Sequence, residues 1–421
     1  MNQIIAAALL LILLLSIPAS GSPGEEGYME TNKLARSQNA FATDLYAQLR
    51  RQPGNLFFSP QSIATALSMT FIGARGDTST EMAKVLHLQA LRSDSRKETL
   101  TLQSLVLEEY ANQWKLLNES AQDGLELHVA NGLWVKADYP LHSEFIKAIV
   151  ESFKGSIEPV DFNNELAARN KINTWVSDQT RGKIRNLIGP NAVTSGTRLV
   201  LANAIYFKAA WDAQFTKEAS RKEKFHVSLD RDVDIEMMQQ TRFYEVAELE
   251  GFKLLVMPYK GSEASMLVLL PDKVDGLEDL ERSLSAEKVD SWLEKRKSVR
   301  VALSLPKFKS TSALNLNDPL IALGMKKAFA IKEADFSGIA SVQGEPLYIG
   351  LVIHKAFVDV NEEGTEAAAA TGVSIRAGAV MRPIEPLRFN ADHPFVYIIR
   401  SNSTGDILFM GRLTDPTNQG E

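Results

Sequence analysis

The sequence predicts a single α+β domain. Helical patterns are concentrated in the first part of the chain and strand patterns in the later part, and the two do not alternate regularly. The composition is that of an ordinary globular protein, with 45% hydrophobic and 23% charged residues among 421. No internal repeat and no clear linker divides the chain. We therefore expect residues 22–421 to fold as one unit, although this length often holds two or three domains.

Two early segments have the period of an amphipathic helix. Residues 34–50 place three apolar side chains on one stripe: Phe41, Leu45 and Leu49. Residues 59–71 include Pro60 at a suitable first helical position, followed by apolar side chains spaced for burial on one side: Ile63, Ala64, Leu67 and Phe71. We predict a helix in each segment.

The strand patterns begin at residue 125. Residues 125–135 alternate in polarity and end near Trp134. Residues 199–207 are too apolar for an exposed strand, so we place them in the middle of a sheet. The remaining predicted strands include a pair joined by the turn at residues 259–262, and they cover residues 252–257, 265–270, 299–305, 347–360 and 395–400.

Composition excludes several classes of function. The chain has no cysteine, which rules out thiol nucleophiles, disulfides and thiolate metal sites. Its net charge is −6, whereas a nucleic-acid-binding protein normally carries a basic surface, so we predict no nucleic-acid partner. The 6 histidines include no pair at metal-ligand spacing, and no nucleotide-binding or hydrolase motif is present. We therefore expect no metal, no cofactor and no catalytic residue.

The densest basic run is formed by Lys295, Arg296 and Lys297, with Arg300 close behind. Such a run beside Glu294 is more typical of a solvated turn than of a polyanion-binding site.

The N-terminus is typical of a secretory signal peptide. Residues 4–17 are an apolar run, which is followed by Pro18 and three small residues. At ~1.5 Å per residue this run spans roughly 21 Å, short of the ~30 Å of a bilayer core. We predict a signal peptide over residues 1–21 and a protein that is secreted, or periplasmic in a Gram-negative bacterium, with no membrane contact after cleavage. The first three residues carry no Lys or Arg, and an uncleaved anchor and a buried helix are the alternatives.

A long segment after Val360 has no compact turn, although strand patterns lie on both sides of it. A loop of such length inside a compact domain is usually functional. Alternate positions from Thr365 onward are uncharged and mostly small, namely Thr365, Ala367, Ala369, Thr371, Val373 and Ile375, while every charge falls between them. This period is typical of a strand with one buried face. Because alanine is a poor strand former, we interpret the segment as one that slides into a packed sheet. A frayed alanine-rich surface helix is the other interpretation.

From about residue 34 to residue 416 the sequence resembles the serpin family. The hinge at the start of the long loop matches inhibitory members, and its residues are Glu362, Glu363, Gly364, Thr365, Glu366, Ala367, Ala368, Ala369, Ala370 and Thr371. Further matching strings occur in the family's order at residues 55–64, 203–211, 353–356, 391–395 and 407–412. The resemblance implies the serpin fold, with three β-sheets, about nine helices and an exposed reactive-centre loop at about residues 362–388.

The resemblance also implies a serine protease inhibitor that acts as a suicide substrate and is not an enzyme. The protease cleaves the loop and is trapped as a covalent acyl-enzyme while the loop inserts into the central sheet as a new strand. About 14 inserted residues at ~3.4 Å each would move the protease roughly 48 Å. Net hydrogen bonds of ~1 kcal/mol each would release on the order of ten kcal/mol, comparable with the ~5–15 kcal/mol stability of a protease. The uncleaved protein is then expected to be a metastable monomer.

The resemblance assigns polar groups to the zone where the central sheet opens: Ser59, Ser62, Asn203 and His354. Trp211 is expected to pack where the first loop residues enter the sheet. Taken alone, each of these residues is more typical of a hydrogen-bonded or packed core position.

In inhibitory serpins the residue before the scissile bond usually stands fifteenth, counted from the hinge glycine, which is Gly364 here. The reactive bond is then Gly378–Ala379, and Ala377 or Ala379 is the neighbouring choice for the residue before the cut. Small residues suit the shallow pocket of an elastase-like or subtilisin-like protease. Arg376 would suit a trypsin-like enzyme, but it lies two residues short of the usual spacing.

Two other functions are kept open. A non-inhibitory serpin would act as a carrier, storage protein or chaperone, although such members typically lose the small-residue hinge. A hydrolase would need a triad assembled from residues scattered along the chain, and nothing in the sequence favours one.

Overall fold

The computed structural model describes residues 23–93, 100–119, 125–340, 345–365 and 385–420. The predicted signal peptide and most of the predicted reactive-centre loop lie outside these ranges. The described parts contain nine α-helices: α1 (Pro23–Leu49), α2 (Pro60–Gly73), α3 (Gly76–Val85), α4 (Leu102–Glu119), α5 (Ser143–Phe153), α6 (Glu165–Gln179), α7 (Leu277–Ser283), α8 (Ala286–Glu294) and α9 (Asn317–Leu323).

The same parts of the chain contain fifteen strands: β1 (Leu56–Phe58), β2 (Leu125–Lys136), β3 (Ser156–Val160), β4 (Leu199–Ala210), β5 (Arg221–Ser228), β6 (Arg231–Leu249), β7 (Phe252–Pro258), β8 (Ala264–Pro271), β9 (Lys297–Pro306), β10 (Phe308–Asn315), β11 (Ile349–Asn361), β12 (Gly364–Thr365), β13 (Leu387–Asn390), β14 (Phe395–Ser401) and β15 (Ile407–Leu413).

Six of these strands form a mixed sheet, here called the central sheet, in the order β10-β11-β12-β4-β2-β3. Over most of their length β4 and β11 are parallel and pair directly, from Leu199 beside Ile349 to Tyr206 beside Phe357. We call this parallel pairing the seam. The prediction of a buried mid-sheet strand at residues 199–207 is confirmed, because β4 has neighbours on both sides and these nine residues are all buried.

The other nine strands form a second sheet, in the order β1-β15-β14-β8-β7-β6-β9-β13 with β5 attached to β6. The 19-residue strand β6 pairs with β5, β9 and β7 at successive positions along its length. The second and third of the three expected sheets are therefore joined by β6 into one hydrogen-bonded network.

The apolar core fills three spaces. One cluster lies between the two sheets and includes Phe207 of β4 and Phe409 of β15. A larger cluster packs α1, α2 and their neighbouring helices against the sheets. A third lies between α6 and the central sheet, where Ile172 meets the face of β4 that carries Ala202 and Ala204. The central sheet is therefore covered on both faces at its middle.

The predicted helices and strands are confirmed, and the two predicted helices differ from the prediction in where they begin. α2 begins one residue after its predicted start, because Ser59 is the N-cap and its Oγ accepts a hydrogen bond from the Ser62 N–H at 3.2 Å. α1 begins at Pro23, well before the predicted start near residue 34. Residues 23–33 have no sustained apolar stripe, so the pattern used for the prediction had no signal there. Among the described residues, no helix is both long and apolar enough to cross a membrane.

Candidate functional site

The first residues of the long loop lie inside the central sheet. After β11 the chain makes a two-residue turn and returns as β12, which consists of Gly364 and Thr365 alone. Thr365 lies between Val360 of β11 and Ala209 of β4, antiparallel to both strands. The seam begins three residues from Ala209 along β4, at Tyr206. β12 is thus a short wedge at one end of the seam.

Only glycine fits the first position of this wedge. Gly364 has a φ of +153°, and a Cβ built on it would lie 2.1 Å from the Ala209 carbonyl oxygen and 2.6 Å from the Ala210 Cα. Contacts this short exclude any side chain while β12 keeps its place.

Thr365 is held by a pair of stacked aromatic rings. Its fully buried side chain shares a 2.8 Å hydrogen bond with the Tyr259 hydroxyl. The Tyr259 ring stacks on Trp211 with centroids 4.7 Å apart. The Trp211 indole N–H donates to the Asn361 carbonyl and its backbone N–H donates to the Glu363 carbonyl, each at 3.0 Å. Trp211 therefore clamps the turn that leads into β12.

Two carboxylates anchor the same turn. The Ser220 hydroxyl donates to Glu362 Oε1 at 2.8 Å, and Lys307 Nζ lies 3.2 Å from the same oxygen. Burial acts to raise the pKa of Glu362, but hydrogen bonds and the Lys307 charge hold that pKa below its ordinary value. Lys217 pairs with Glu363 at 2.8 Å. The turn is thus fixed by ionised side chains as well as by Trp211.

A polar network crosses the seam partway along it. His354 of β11 and Asn203 of β4 stand side by side, and His354 Nδ1 is hydrogen-bonded to Asn203 Oδ1. Asn203 Nδ2 donates to Ser62 Oγ at 2.5 Å and to Asn131 Oδ1 of β2. The Ser59 backbone N–H donates to His354 Nε2 at 3.1 Å. The network therefore ties α2, β2, β4 and β11 together.

These bonds define the protonation state of His354. Nε2 accepts from a backbone N–H, so the ring proton is on Nδ1 and is donated to Asn203. Burial lowers the pKa of His354 to about 3. The imidazole is therefore neutral near pH 7, and a proton on Nε2 would break its bond with Ser59.

The structure brings together four of the five residues predicted at the sheet opening: Ser59, Ser62, Asn203 and His354. The fifth, Trp211, does not touch this network and lies beyond the end of β4, beside Thr365 and its turn. The later hinge residues lie outside the described residues: Glu366, Ala367, Ala368, Ala369, Ala370 and Thr371. The candidate cleavage residues also lie outside them: Arg376, Ala377, Gly378 and Ala379.

The sequence analysis missed Asn131 and Tyr259, and also the three side chains that bind the carboxylates of the turn, namely Ser220, Lys217 and Lys307. Asn131 is paired directly with Asn203 across β2 and β4, a relation that depends on the register between distant segments. A lone amide on the inward face of an apolar strand was the available signal, since such a group needs a partner. Tyr259 falls in the predicted turn at residues 259–262, yet it is fully buried against Thr365.

The arrangement is suited to opening and taking in a strand. The polar groups of the seam bond to one another across it, so they can exchange these partners for a hydroxyl placed between them. Within the described ranges, no group of three or more His, Asp or Glu side chains is placed to hold a metal ion.

The sequence matches the family described as Serpin (serine protease inhibitor) over residues 36–416. It is 40% identical to human Serpin B3 over 394 residues, which are 91% of this chain and 100% of that protein. It is 37% identical to the leukocyte elastase inhibitor of Xenopus tropicalis, over 89% of this chain and 97% of that protein.

Solved structures show the same relationship. Serpin48 of the insect Tenebrio molitor aligns with a TM-score of 0.77 at 34% identity, over 94% of this chain and 100% of that chain. Human thyroxine-binding globulin aligns with a TM-score of 0.81 at 28% identity, over 92% of this chain and 99% of that chain. The serpin fold expected from the sequence is confirmed, and this chain belongs to the serpin family of protease inhibitors.

Proposed function

We propose that this serpin is a secreted inhibitor that traps serine proteases as a suicide substrate. The observation that carries the proposal is the position of β12. It is antiparallel to both β4 and β11 and stands at the end of the seam between them. After cleavage, the chain that follows Thr365 can continue between the two strands without a reversal of direction.

Continuing the register of β12 residue by residue places Thr371 between Asn203 and His354. We call the uncharged alternate positions of the loop, from Thr365 to Ile375, the inward set. Thr365 and Thr371 are its only polar residues. Thr365 bonds to the buried Tyr259 hydroxyl, and Thr371 would meet the polar network of the seam. The alanines of this set would fall among apolar neighbours. The polarity of the loop therefore matches the polarity of the sheet at each inward position.

The opposite face of the inserted strand would lie partly beneath α6. This helix packs over Ala202 and Ala204 of β4, and the continued register places Gly372 and Ala370 beside them. Small side chains at these two positions limit how far α6 must move. Glu366 would lie beside Lys208, which belongs to the part of β4 beyond the helix.

Insertion exchanges one hydrogen-bonded ladder for two. The parallel pairing of the seam, eight residue pairs long, would be lost. Continuing β12 from Glu366 to Ile375 would form roughly twenty new bonds with its two neighbours. After the lost bonds of the seam are subtracted, the gain at ~1 kcal/mol net per bond is on the order of ten kcal/mol. This is similar to the ~5–15 kcal/mol that stabilises a folded protease, so the trapped catalytic site can be deformed.

The proposed target is an elastase-like or subtilisin-like protease that cuts at Gly378–Ala379 or one bond away. The small side chains of this stretch support that class, and so does the similarity to a leukocyte elastase inhibitor. The apolar run at residues 4–17 supports export, with removal of residues 1–21 and action outside the cytoplasm.

A non-inhibitory role as carrier, storage protein or chaperone is the second candidate. Its support is the structural similarity to thyroxine-binding globulin, which has been solved in complex with thyroxine. The intact small-residue hinge and the wedge at Gly364 and Thr365 favour inhibition instead.

The two candidates are separated by incubating the full chain with a panel of serine proteases and resolving the products on a denaturing gel. Inhibition predicts a covalent band at the summed mass of serpin and protease. Clean loop cleavage without that band, for every protease in the panel, would support the second candidate. Turnover of added substrates by the chain alone would indicate an enzyme.

A further inference from the structure

Near β13 the outer face of the second sheet carries exposed side chains. Helix α8 packs over the neighbouring part of this sheet through Trp292 and Val289. Beyond it, Tyr244 and Val301 are buried on the inner face, so the side chains next to them in β6 and β9 point outward. The outward side chains are those of Phe243, Arg300 and Arg388, which we call the β13 patch.

The β13 patch has an unusual composition for a solvated surface. Phe243 is 66% exposed and stands directly opposite Arg300 in the β6–β9 ladder. Arg388 of β13 is paired with Ala302, two residues further along β9. No ion pair joins Arg300 or Arg388 to another described side chain. The nearby Arg296, in contrast, is paired with Glu245 at 2.7 Å.

The position of the patch relative to the reactive bond identifies an occupant. Leu387, where β13 begins, is eight positions after Ala379, so the two residues are at most ~28 Å apart when the chain between them is fully extended. A protease of about 230 residues has a radius of gyration of roughly 17 Å. A protease whose cleft holds the predicted bond is therefore large enough to reach the sheet face beside β13.

We infer that the β13 patch is a secondary docking surface for the target protease, which contributes to its selection before cleavage. The inference rests on the proposed inhibitory function and adds a recognition element outside the loop. Two guanidinium groups that have no ion pair within the described part of the chain, beside an exposed phenyl ring, fit an acidic protease surface that adjoins the cleft and presents an apolar side chain. Arginine and aromatic residues are the side chains that most often dominate such contacts.

The test uses the full chain and the protease that reacts fastest in the panel. The variants are the double charge reversal Arg300→Glu/Arg388→Glu, the truncation Phe243→Ala, and the control Arg51→Glu, an exposed cation at a distant site. The second-order rate constant of complex formation is measured at about 20 mM and about 200 mM salt, spanning strong and weak screening. Thermal midpoints confirm that each variant is folded.

The double variant should react about tenfold more slowly at low salt and should lose most of the salt dependence of the native protein. Phe243→Ala should slow the reaction about threefold at both salt concentrations, and Arg51→Glu should leave it unchanged. The yield of complex per cleaved inhibitor should be the same in all variants, because the patch acts before cleavage.

Normal complex yields with unchanged rates in both patch variants would overturn this inference and leave the proposed function intact. Failure of every protein, native included, to form a complex would overturn the proposed function and this inference with it. Loss of retention on a polyanion column in the double variant, with an unchanged protease rate, would assign the patch to polyanions instead.

Discussion

Thr365→Arg should convert the inhibitor into a substrate. The Thr365 side chain is fully buried, with its Oγ1 2.8 Å from the Tyr259 hydroxyl and beside the Trp211 stack. An arginine in this position would place a charged group among buried rings, and a buried charge without a partner costs several kcal/mol. Releasing β12 from the sheet costs less free energy than burying this charge, so the variant should release β12.

Release of β12 gives up roughly four backbone hydrogen bonds and the bond to Tyr259, on the order of 3–5 kcal/mol. Insertion must then start from a displaced hinge. Since ~1.4 kcal/mol changes a rate tenfold, insertion should slow about a hundredfold or more. Hydrolysis of the acyl-enzyme takes place in the protease and keeps its rate, so most of the cleaved inhibitor should be released without forming a complex.

Glu366→Arg is the matched control. On the continued register Glu366 falls between Lys208 and Asp359. Glu366 would attract Lys208, and an arginine in its place would attract Asp359 instead. The assay is the amount of covalent complex per cleaved inhibitor, read from a denaturing gel for both variants. An equal loss of complex in the two variants, or no loss in Thr365→Arg, would show that the inward orientation of Thr365 does not control complex formation.

Three further predictions concern the wedge, the seam and the loop. Gly364→Ala should lower the thermal midpoint and the complex yield, because its Cβ would lie 2.1 Å from the Ala209 carbonyl oxygen; melting and yield unchanged from the native protein would show that the wedge tolerates a side chain. Stability should fall as pH drops from about 6.5 to about 5, by up to ~1.4 kcal/mol per pH unit, because the unfolded chain protonates His354 while burial lowers its pKa to about 3 in the folded state. Denaturant unfolding of the native protein and His354→Gln tests this, and equal pH slopes would contradict it. Elastase-like enzymes should form complexes faster than trypsin, with mass spectrometry placing the cut within one bond of Gly378–Ala379; efficient trypsin inhibition with a cut after Arg376 would overturn the assigned register.

The sequence predicted the parts of the fold that depend on local periodicity. The apolar run at residues 199–207 is the buried middle strand β4, and the stripe at residues 59–71 is α2. Both signals come from side chains that alternate or recur within one segment, so they can be recognised without knowledge of tertiary contacts.

The sequence could not predict contacts that depend on register between distant segments. β12 is two residues long and has no period of its own, so its place between Val360 and Ala209 follows only from tertiary pairing. The partnership of Asn131 with Asn203, and that of Tyr259 with Thr365, were invisible for the same reason. The cleavage position rests on family spacing alone.

The central claim is that cleavage drives the loop into the seam, and the thermal midpoint before and after a single cut tests it most directly. The intact serpin is nicked between about residues 373 and 380 by a protease that releases it, and both forms are melted under the same conditions. The nicked form should have the higher midpoint, because the inserted strand adds two ladders where the seam had one. A nicked protein that melts at or below the temperature of the intact one would contradict insertion.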